Sequence, residues 1–421
     1  MNKIRKVLIV GGGIGGLTAR KALKKLNIEA VVCDKVNLND NKVFKGAGIG
    51  VWRPSLDVMK ALDIDLYPDG RLMTSAGYKN KQGKWLARPS GSLSTSNHCL
   101  CMDRTDLVTH LADFQEDDEN IKMGDGWGLS HYSKDGEKVK ATFENGETMD
   151  FDFVIGADGI HSKTRTQLMG KDAIEPKYCG YSFYRAIIHD PSPDLVSKIE
   201  LDGDRPSFET WGPNQRFALV PLKEPQLFWF GSFRQDEPIH RSFDEEAKRE
   251  QKDHAMSIFK DYHHPVPDLI EATDSKDFVF TDIYELEENL IKKWYSSEDH
   301  VALLGDSVHS VAPNLAQGAS LAIEDAIELA SCLNLYNIGK YKTMEETLES
   351  YQQARSWRAK RVRFISNLIA TIGQHPNPTF STIRDLCMRV VPSSLSSPVF
   401  DVVLKYSLGG DYKLPPSFRD F

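Results

Sequence analysis

An apolar run that passes straight into a glycine cluster constrains this chain more than any other feature. Lys6-Val7-Leu8-Ile9-Val10 reads as a buried strand, and Gly11-Gly12-Gly13-Ile14-Gly15-Gly16 follows at once. Taken as G-x-G-x-x-G, the fixed positions are Gly11, Gly13 and Gly16. Gly11 permits a tight turn, Gly13 lets backbone approach a pyrophosphate, and Gly16 lets the next helix pack on the strand. Leu17 to Leu26 carries a helical pattern, whose free N–H groups would meet the phosphates. A second strand, Ala30-Val31-Val32-Cys33, ends in Asp34, about 20 residues past the glycines, where an acid holds a ribose hydroxyl. Together these elements predict a β-α-β dinucleotide cradle, with Ile14, Gly15 and Lys35 inside it.

At 421 residues the chain is too long for one small domain. Its net charge of −8, from 52 basic and 60 acidic residues, gives no global attraction for nucleic acid. The six cysteines are Cys33, Cys99, Cys101, Cys179, Cys332 and Cys387. They lack zinc or redox-motif spacing, so they are expected to be reduced and structural, in a cytoplasmic setting. His263-His264 precedes Pro265 without further ligands at metal spacing, and no metal is expected. No secretory signal is expected ahead of the first strand. No apolar run reaches the roughly 20 residues of a membrane span. The nearest approach, Phe364 to Gly373, is broken by Ser366, Asn367 and Thr371.

Residues 1 to about 40 form the first β-α-β unit, and 45–75 read as loop and helix beginning Lys45-Gly46-Ala47-Gly48-Ile49-Gly50. Alternation over 76–101 suggests antiparallel strands, and Leu107, Leu111 and Phe114 share one face of a helix at 104–114. Asp135-Gly136 and Asn145-Gly146 are hairpin signals within a meander over 121–155. Strand-like runs fill 178–235, and a charged helix spans 243–261. The strand His300–Leu304 ends at Gly305-Asp306, before a helix from Gly318 to about Leu333. A long helix at 344–373 carries Arg355, Arg358, Arg361 and Arg363, and another at 384–391 stops at Pro392. This order predicts an α/β chain with a discontinuous Rossmann-like domain (1–75, 102–177 and 295–365). An antiparallel-sheet substrate domain (76–101 and 178–294) is inserted, and a helical tail (366–421) ends the chain.

Three segments carry a resemblance: Gly11–Gly16, Asp158-Gly159-Ile160-His161-Ser162 with Arg165, and Gly305-Asp306 through Pro313-Asn314-Leu315-Ala316-Gln317-Gly318 to Ala322-Ile323-Glu324-Asp325-Ala326. In these the chain resembles the single-component FAD-dependent aromatic hydroxylases, in the branch of salicylate hydroxylase, urate hydroxylase and zeaxanthin epoxidase. The resemblance runs from Val7 to about Arg361. It implies FAD as the resident cofactor, its ADP half on Gly11, Gly13, Gly16 and Asp34. The flavin end would meet Asp306, Pro313, Gln317, Gly318 and Ala319. Asp158, Gly159 and Arg165 would serve FAD and the nicotinamide cofactor, with Arg165 paired to phosphate. Arg104 would hold the pyrophosphate from a second side. Arg53 reads as a solvated surface arginine. Ala316 and Ala319 stand where the family commonly has glycine.

The resemblance further implies transient NADPH or NADH, O2, and a flavin C4a-hydroperoxide that delivers one oxygen atom to an electron-rich ring or double bond. No second G-x-G-x-x-G would house NAD(P)H permanently. Tyr178–Arg185 is similar to the family strand that offers an arginine to the active site, which makes Arg185 the catalytic candidate; Phe217, Phe228, Phe230 and Trp211 are candidates for core or pocket lining. The implied substrate is a small aromatic, heteroaromatic or terpenoid molecule. A monomer or homodimer is expected. Peripheral membrane contact stays open through the apolar run Pro398–Leu404. The competing reading is an FAD dehydrogenase of the same fold that inserts no oxygen.

Overall fold

The computed structural model describes residues 3–37, 47–73, 76–87, 99–112, 118–200, 207–239, 244–287, 291–390 and 412–419. A six-stranded sheet organises the nucleotide-fold part. Its order is Tyr295–Ser296, Val301–Leu303, Phe153–Gly156, Lys6–Val10, Glu29–Asp34 and Ile121–Met123. All neighbours are parallel except the Tyr295–Ser296 edge. The first strand is central because Val7 to Val10 are buried on both faces. Val7 and Ile9 point into the helical core with Leu17, Leu23, Ile323 and Ile327. Leu8 and Val10 point the other way, onto the meander residues Tyr132, Val139 and Phe143. That meander is a separate antiparallel sheet of Leu129–Asp135, Lys138–Phe143 and Thr148–Phe151.

The helix Gly318–Asn337 is buried almost all round. Such a helix needs cover on several sides. Ile14–Lys25 packs on it, and so does the 30-residue helix Met344–Gly373. Thr343 starts the long helix by accepting from the Glu346 N–H at 3.1 Å.

A seven-stranded sheet forms the second layer, in the order Val279–Glu285, Lys177–Ile188, Leu227–Arg234, Gln215–Pro221, Ser207–Gly212, Ala76–Asn80 and Trp85–Ala87. It departs from the antiparallel expectation at one place, since Ser207–Gly212 and Ala76–Asn80 run parallel. Chain segments more than a hundred residues apart meet there, so no hairpin sets their direction. Its buried face holds Tyr184, Phe217 and Trp229, packed against Phe259 of the helix Glu245–Phe259, with Phe217 stacked on Trp229 at 5.3 Å.

Two local expectations change. Gly48–Trp52 is a strand rather than a loop, paired with Cys99–Asp103, which also pairs Gly70–Leu72. Its glycines allow close neighbours: a Cβ at Gly48 would lie 2.4 Å from the Phe228 ring. The last described helix spans Pro378–Val390 instead of starting at 384. Pro378 is compatible with a first helical position, and the Asn377 side chain accepts from Thr379 N–H at 2.8 Å. After the apolar run Pro398–Leu404, which lies outside the described residues, the chain returns to the main core, where Phe418 is fully buried. All six cysteines are free thiols. No helix among the described residues is long and apolar enough to cross a membrane.

Candidate active site

The parallel strands end in a cleft, at the point where strand order reverses around Lys6–Val10. Gly11 adopts φ +111°, and a Cβ there would lie 2.3 Å from the Ala157 carbonyl oxygen. Gly16 packs under the turn; a Cβ would meet the Gly11 carbonyl oxygen at 1.9 Å. Gly13 is different, because nothing lies within 4 Å of where its Cβ would be. Two of the glycines therefore build the turn and the third leaves space. The helix Ile14–Lys25 starts there with no side-chain cap and no acid in its first turn. Its N–H groups are left for an anion.

Asp34 closes the far end. Its Oδ2 accepts from the Gly12 N–H at 2.7 Å and its Oδ1 from the Val36 N–H at 2.9 Å. Each carboxylate oxygen keeps a second lone pair for a hydroxyl donor. Gly11, Gly13, Asp34, Lys35, Asp158 and Gly159 line a cavity of 390 Å3. A second cavity of 460 Å3 is lined by Ile14, Gly15, Asp306, Pro313, Gly318 and Ala319. The two share Gly13, Arg104, Ala157 and Gly159. Arg104 thus stands at the junction. Burial lowers its pKa, while Asp306 and Asp103 act in the opposite sense.

Asp306 is open to the cleft solvent yet ringed by protein, and this enclosure raises its carboxyl pKa against the pull of His309 and Arg104. The helix Gly318–Asn337 begins beside it, again without a side-chain cap or a first-turn acid. Two uncapped helix starts and one arginine therefore face a single two-lobed cleft.

Sequence reading missed what holds the second lobe. Asp325 accepts from the Gly305 N–H at 2.9 Å and from Arg355 Nε at 2.7 Å, and pairs with His309. Glu324 takes Arg355 and Arg358, through Nη2 at 2.8 and 2.7 Å. All five of these side chains are buried. For Asp325, burial pushes the pKa up, but His309 and Arg355 outweigh it and hold the carboxyl well below the usual range. Asn314 joins Arg216, Tyr181 and Ser366, at 2.7, 2.9 and 3.1 Å. Ala316 sits in left-handed backbone at φ +50°. The available signal was the three-residue spacing of Arg355 and Arg358 on one helix.

Two expected cofactor residues lie outside the lining of both lobes. Arg165 does not reach the cleft. It is buried, and its guanidinium donates to the carbonyls of Ser307 at 3.0 Å and Ile160 at 2.8 Å. It ties the Asp158 and Asp306 loops together because their carbonyls have no strand partners. Gln317 likewise turns inward: its Oε1 accepts from Arg358 at 3.0 Å. Asp158 itself is partly used in capping, accepting from Ser162 at 2.5 Å and from Thr164 N–H at 3.0 Å. Arg53 is exposed and pairs with Asp57, as a surface arginine should.

The large sheet supplies the wall opposite the second lobe. Phe183, Arg185, Phe228 and Phe230 line the cavity, with Phe183 and Phe230 rings 5.3 Å apart. Phe183 and Arg185 share a face through strand alternation. Phe217 and Trp211 do not line it. Arg185 donates to Thr281 Oγ1 at 2.7 Å, and its Nε has no hydrogen-bond partner. Burial, then Arg104, lowers its pKa to about 10, so it stays cationic at neutral pH. A groove of 570 Å3 between His161 and Tyr284 opens beside Asp306 and Pro313.

The family model described as FAD binding domain matches residues 5–364. The chain is 29% identical over 397 residues to the aurachin C monooxygenase/isomerase of Stigmatella aurantiaca, covering 92% of this chain and 94% of that one. It is 29% identical over 390 residues to the chloroplastic zeaxanthin epoxidase of Solanum lycopersicum, covering 87% of this chain and 54% of that protein. It thus spans about half the length of the epoxidase. Among solved structures, Klebsiella pneumoniae HpxO complexed with FAD and uric acid has the same fold. The TM-score is 0.79 at 20% identity, covering 96% of this chain and 97% of that one. The 2,6-dihydroxypyridine-3-hydroxylase of Arthrobacter nicotinovorans follows at 0.72 and 18%, covering 90% and 97%.

Proposed function

This chain belongs to the FAD binding domain family and is an enzyme of the FAD-dependent monooxygenase kind, and on that premise we propose that it uses NAD(P)H and O2 to insert one oxygen atom into an electron-rich ring or double bond. The balance is substrate, O2, NAD(P)H and a proton in; oxygenated product, NAD(P)+ and water out. The observation that carries this reading is the two-lobed cleft served by two uncapped helix starts and by Arg104 at its waist.

The residues present fit FAD. The open side of Gly13 admits a pyrophosphate, Asp34 retains acceptors for a ribose, and Asp306 with Gly318 frames the second lobe. When bound, the flavin supplies electron transfer and oxygen activation. The start of the Gly318 helix offers N–H groups to negative charge in that lobe. Phe183, Phe228 and Phe230 shut water out on the substrate side. Arg185 holds a fixed positive charge among them, suited to a substrate oxygen. These three aromatics favour a flat or lipophilic substrate, as an aromatic, heteroaromatic or terpenoid ring would be. The 570 Å3 groove leaves the Asp306 loop open to a transient electron donor.

The test is direct. Purified protein should carry flavin, and a panel of such substrates should accelerate NAD(P)H oxidation with product heavier by one oxygen atom. Substrate-dependent oxidation with no oxygen gained would favour the dehydrogenase reading instead.

A further inference from the structure

The C-terminal helices turn apolar residues outward. On Pro378–Val390, Ile383, Leu386 and Val390 are 57, 62 and 70% exposed. Their spacing keeps them on one stripe, while Ser381 and Arg384 of the same helix are buried. On Met344–Gly373, Trp357, Phe364 and Leu368 are also exposed and recur at seven and four residues, again on one stripe. These are six large apolar side chains on two consecutive helices, in a protein with only nine exposed large apolar residues among those described.

The charge of this stretch is equally one-sided. Between Ser350 and Val390 there are seven lysines and arginines and one acid, Asp385, in a chain of net charge −8. Arg355 and Arg358 are neutralised inside by Glu324 and Asp325, Arg363 by Glu285, and Arg384 by Asp385. Lys360 and Arg389 are exposed beside the apolar stripes. The opposite side of the long helix backs the substrate wall: Ala370 packs in a cluster with Phe183 and Phe230.

We propose that these two stripes dock on an anionic lipid bilayer, seating Trp357, Phe364, Leu368, Ile383, Leu386 and Val390 at the interface with Lys360 and Arg389 on the headgroups. Apolar stripes with flanking cations and a tryptophan match the chemistry of that surface, and the local excess of positive charge matches its potential. A second copy of this acidic chain would bring the same cations face to face. Docking is independent of the reaction proposed above, so either can fail alone.

The experiment is co-sedimentation of the full-length, FAD-loaded protein with vesicles of phosphatidylcholine, alone or mixed with phosphatidylglycerol. Binding should favour the mixed vesicles by about ten-fold and fall with added salt. Ile383→Glu with Leu386→Glu should lose at least about ten-fold, while melting temperature and flavin content stay unchanged. Lys360→Glu with Arg389→Glu should remove the preference for anionic vesicles. Failure to bind either vesicle, or equal binding to both, overturns the proposal. So does a dimer in light scattering that the Ile383/Leu386 variant converts to monomer, because the face then belongs to a second copy.

Discussion

Replacing Asp325 by Asn tests whether the buried acid-arginine node holds the flavin-side loop. Asp325 serves Gly305 N–H, Arg355 and His309 at once. Asparagine keeps one acceptor but brings an NH2 group against donors. Arg355 would still have Glu324 at 2.8 Å, so its charge is not orphaned. The cost therefore falls at the low end for breaking a buried pair, about 3 kcal/mol. Unfolding a chain of 421 residues releases about 0.9 kcal/mol per kelvin. The apparent melting temperature should then drop by about 3–4 °C in a thermal scan. FAD should bind about ten-fold more weakly, since part of its binding energy must now order the loop. The pH dependence has a definite sign. Asp325 is held below its ordinary value of 3.8, so its contribution is complete above that pH and fades as pH falls further. The gap between parent and variant should be flat near neutrality and shrink below about pH 4. A variant that melts within about 1 °C of the parent and holds FAD as tightly would refute the reasoning.

Gly13→Ala should fold with unchanged melting temperature, because its Cβ meets nothing, yet lose flavin on gel filtration. Gly16→Ala should instead destabilise the apoprotein by several kelvin, as its Cβ would collide with the Gly11 carbonyl. Arg104→Ala should weaken FAD by about 10- to 100-fold in a fluorescence titration, the worth of a charge-assisted phosphate contact. Arg185→Met removes an enclosed cation whose guanidinium donates to the neutral Thr281 hydroxyl. It should raise stability by about 1–3 kcal/mol in urea while cutting substrate-stimulated NAD(P)H oxidation. In the parent, that oxidation should decline as pH rises through about 10, where Arg185 loses its proton.

The parts of the site legible in sequence are those made by near neighbours. Gly11, Gly16 and Asp34 lie within one β-α-β unit, so a local pattern states their geometry. Gly305, Asp306, Pro313 and Gly318, which line the second lobe, are likewise close in the chain. What escaped depends on partners distant in the chain. Arg165 looks in sequence like a phosphate ligand, and only its enclosure by Ser307 and Ile160 reveals a strut. Gln317 faces Arg358, forty-one residues on, rather than the cleft. The strand Gly48–Trp52 was hidden because glycines normally weaken strands. Here they make room for Phe228 and Cys99. The parallel pairing of Ser207–Gly212 with Ala76–Asn80 has no sequence signature at all.

The node that fixes the second lobe has a consequence for biosynthesis. Gly16 leaves the ribosome early, whereas Arg358 emerges some 340 residues later. At ordinary elongation rates that interval is about 17–70 s. For much of it the nascent chain holds one half of a cofactor seat, and between the emergence of Phe153–Gly156 and that of Val301–Leu303 the slot beside Phe153–Gly156 is an open sheet edge. A complete cofactor seat is thus a late event in synthesis.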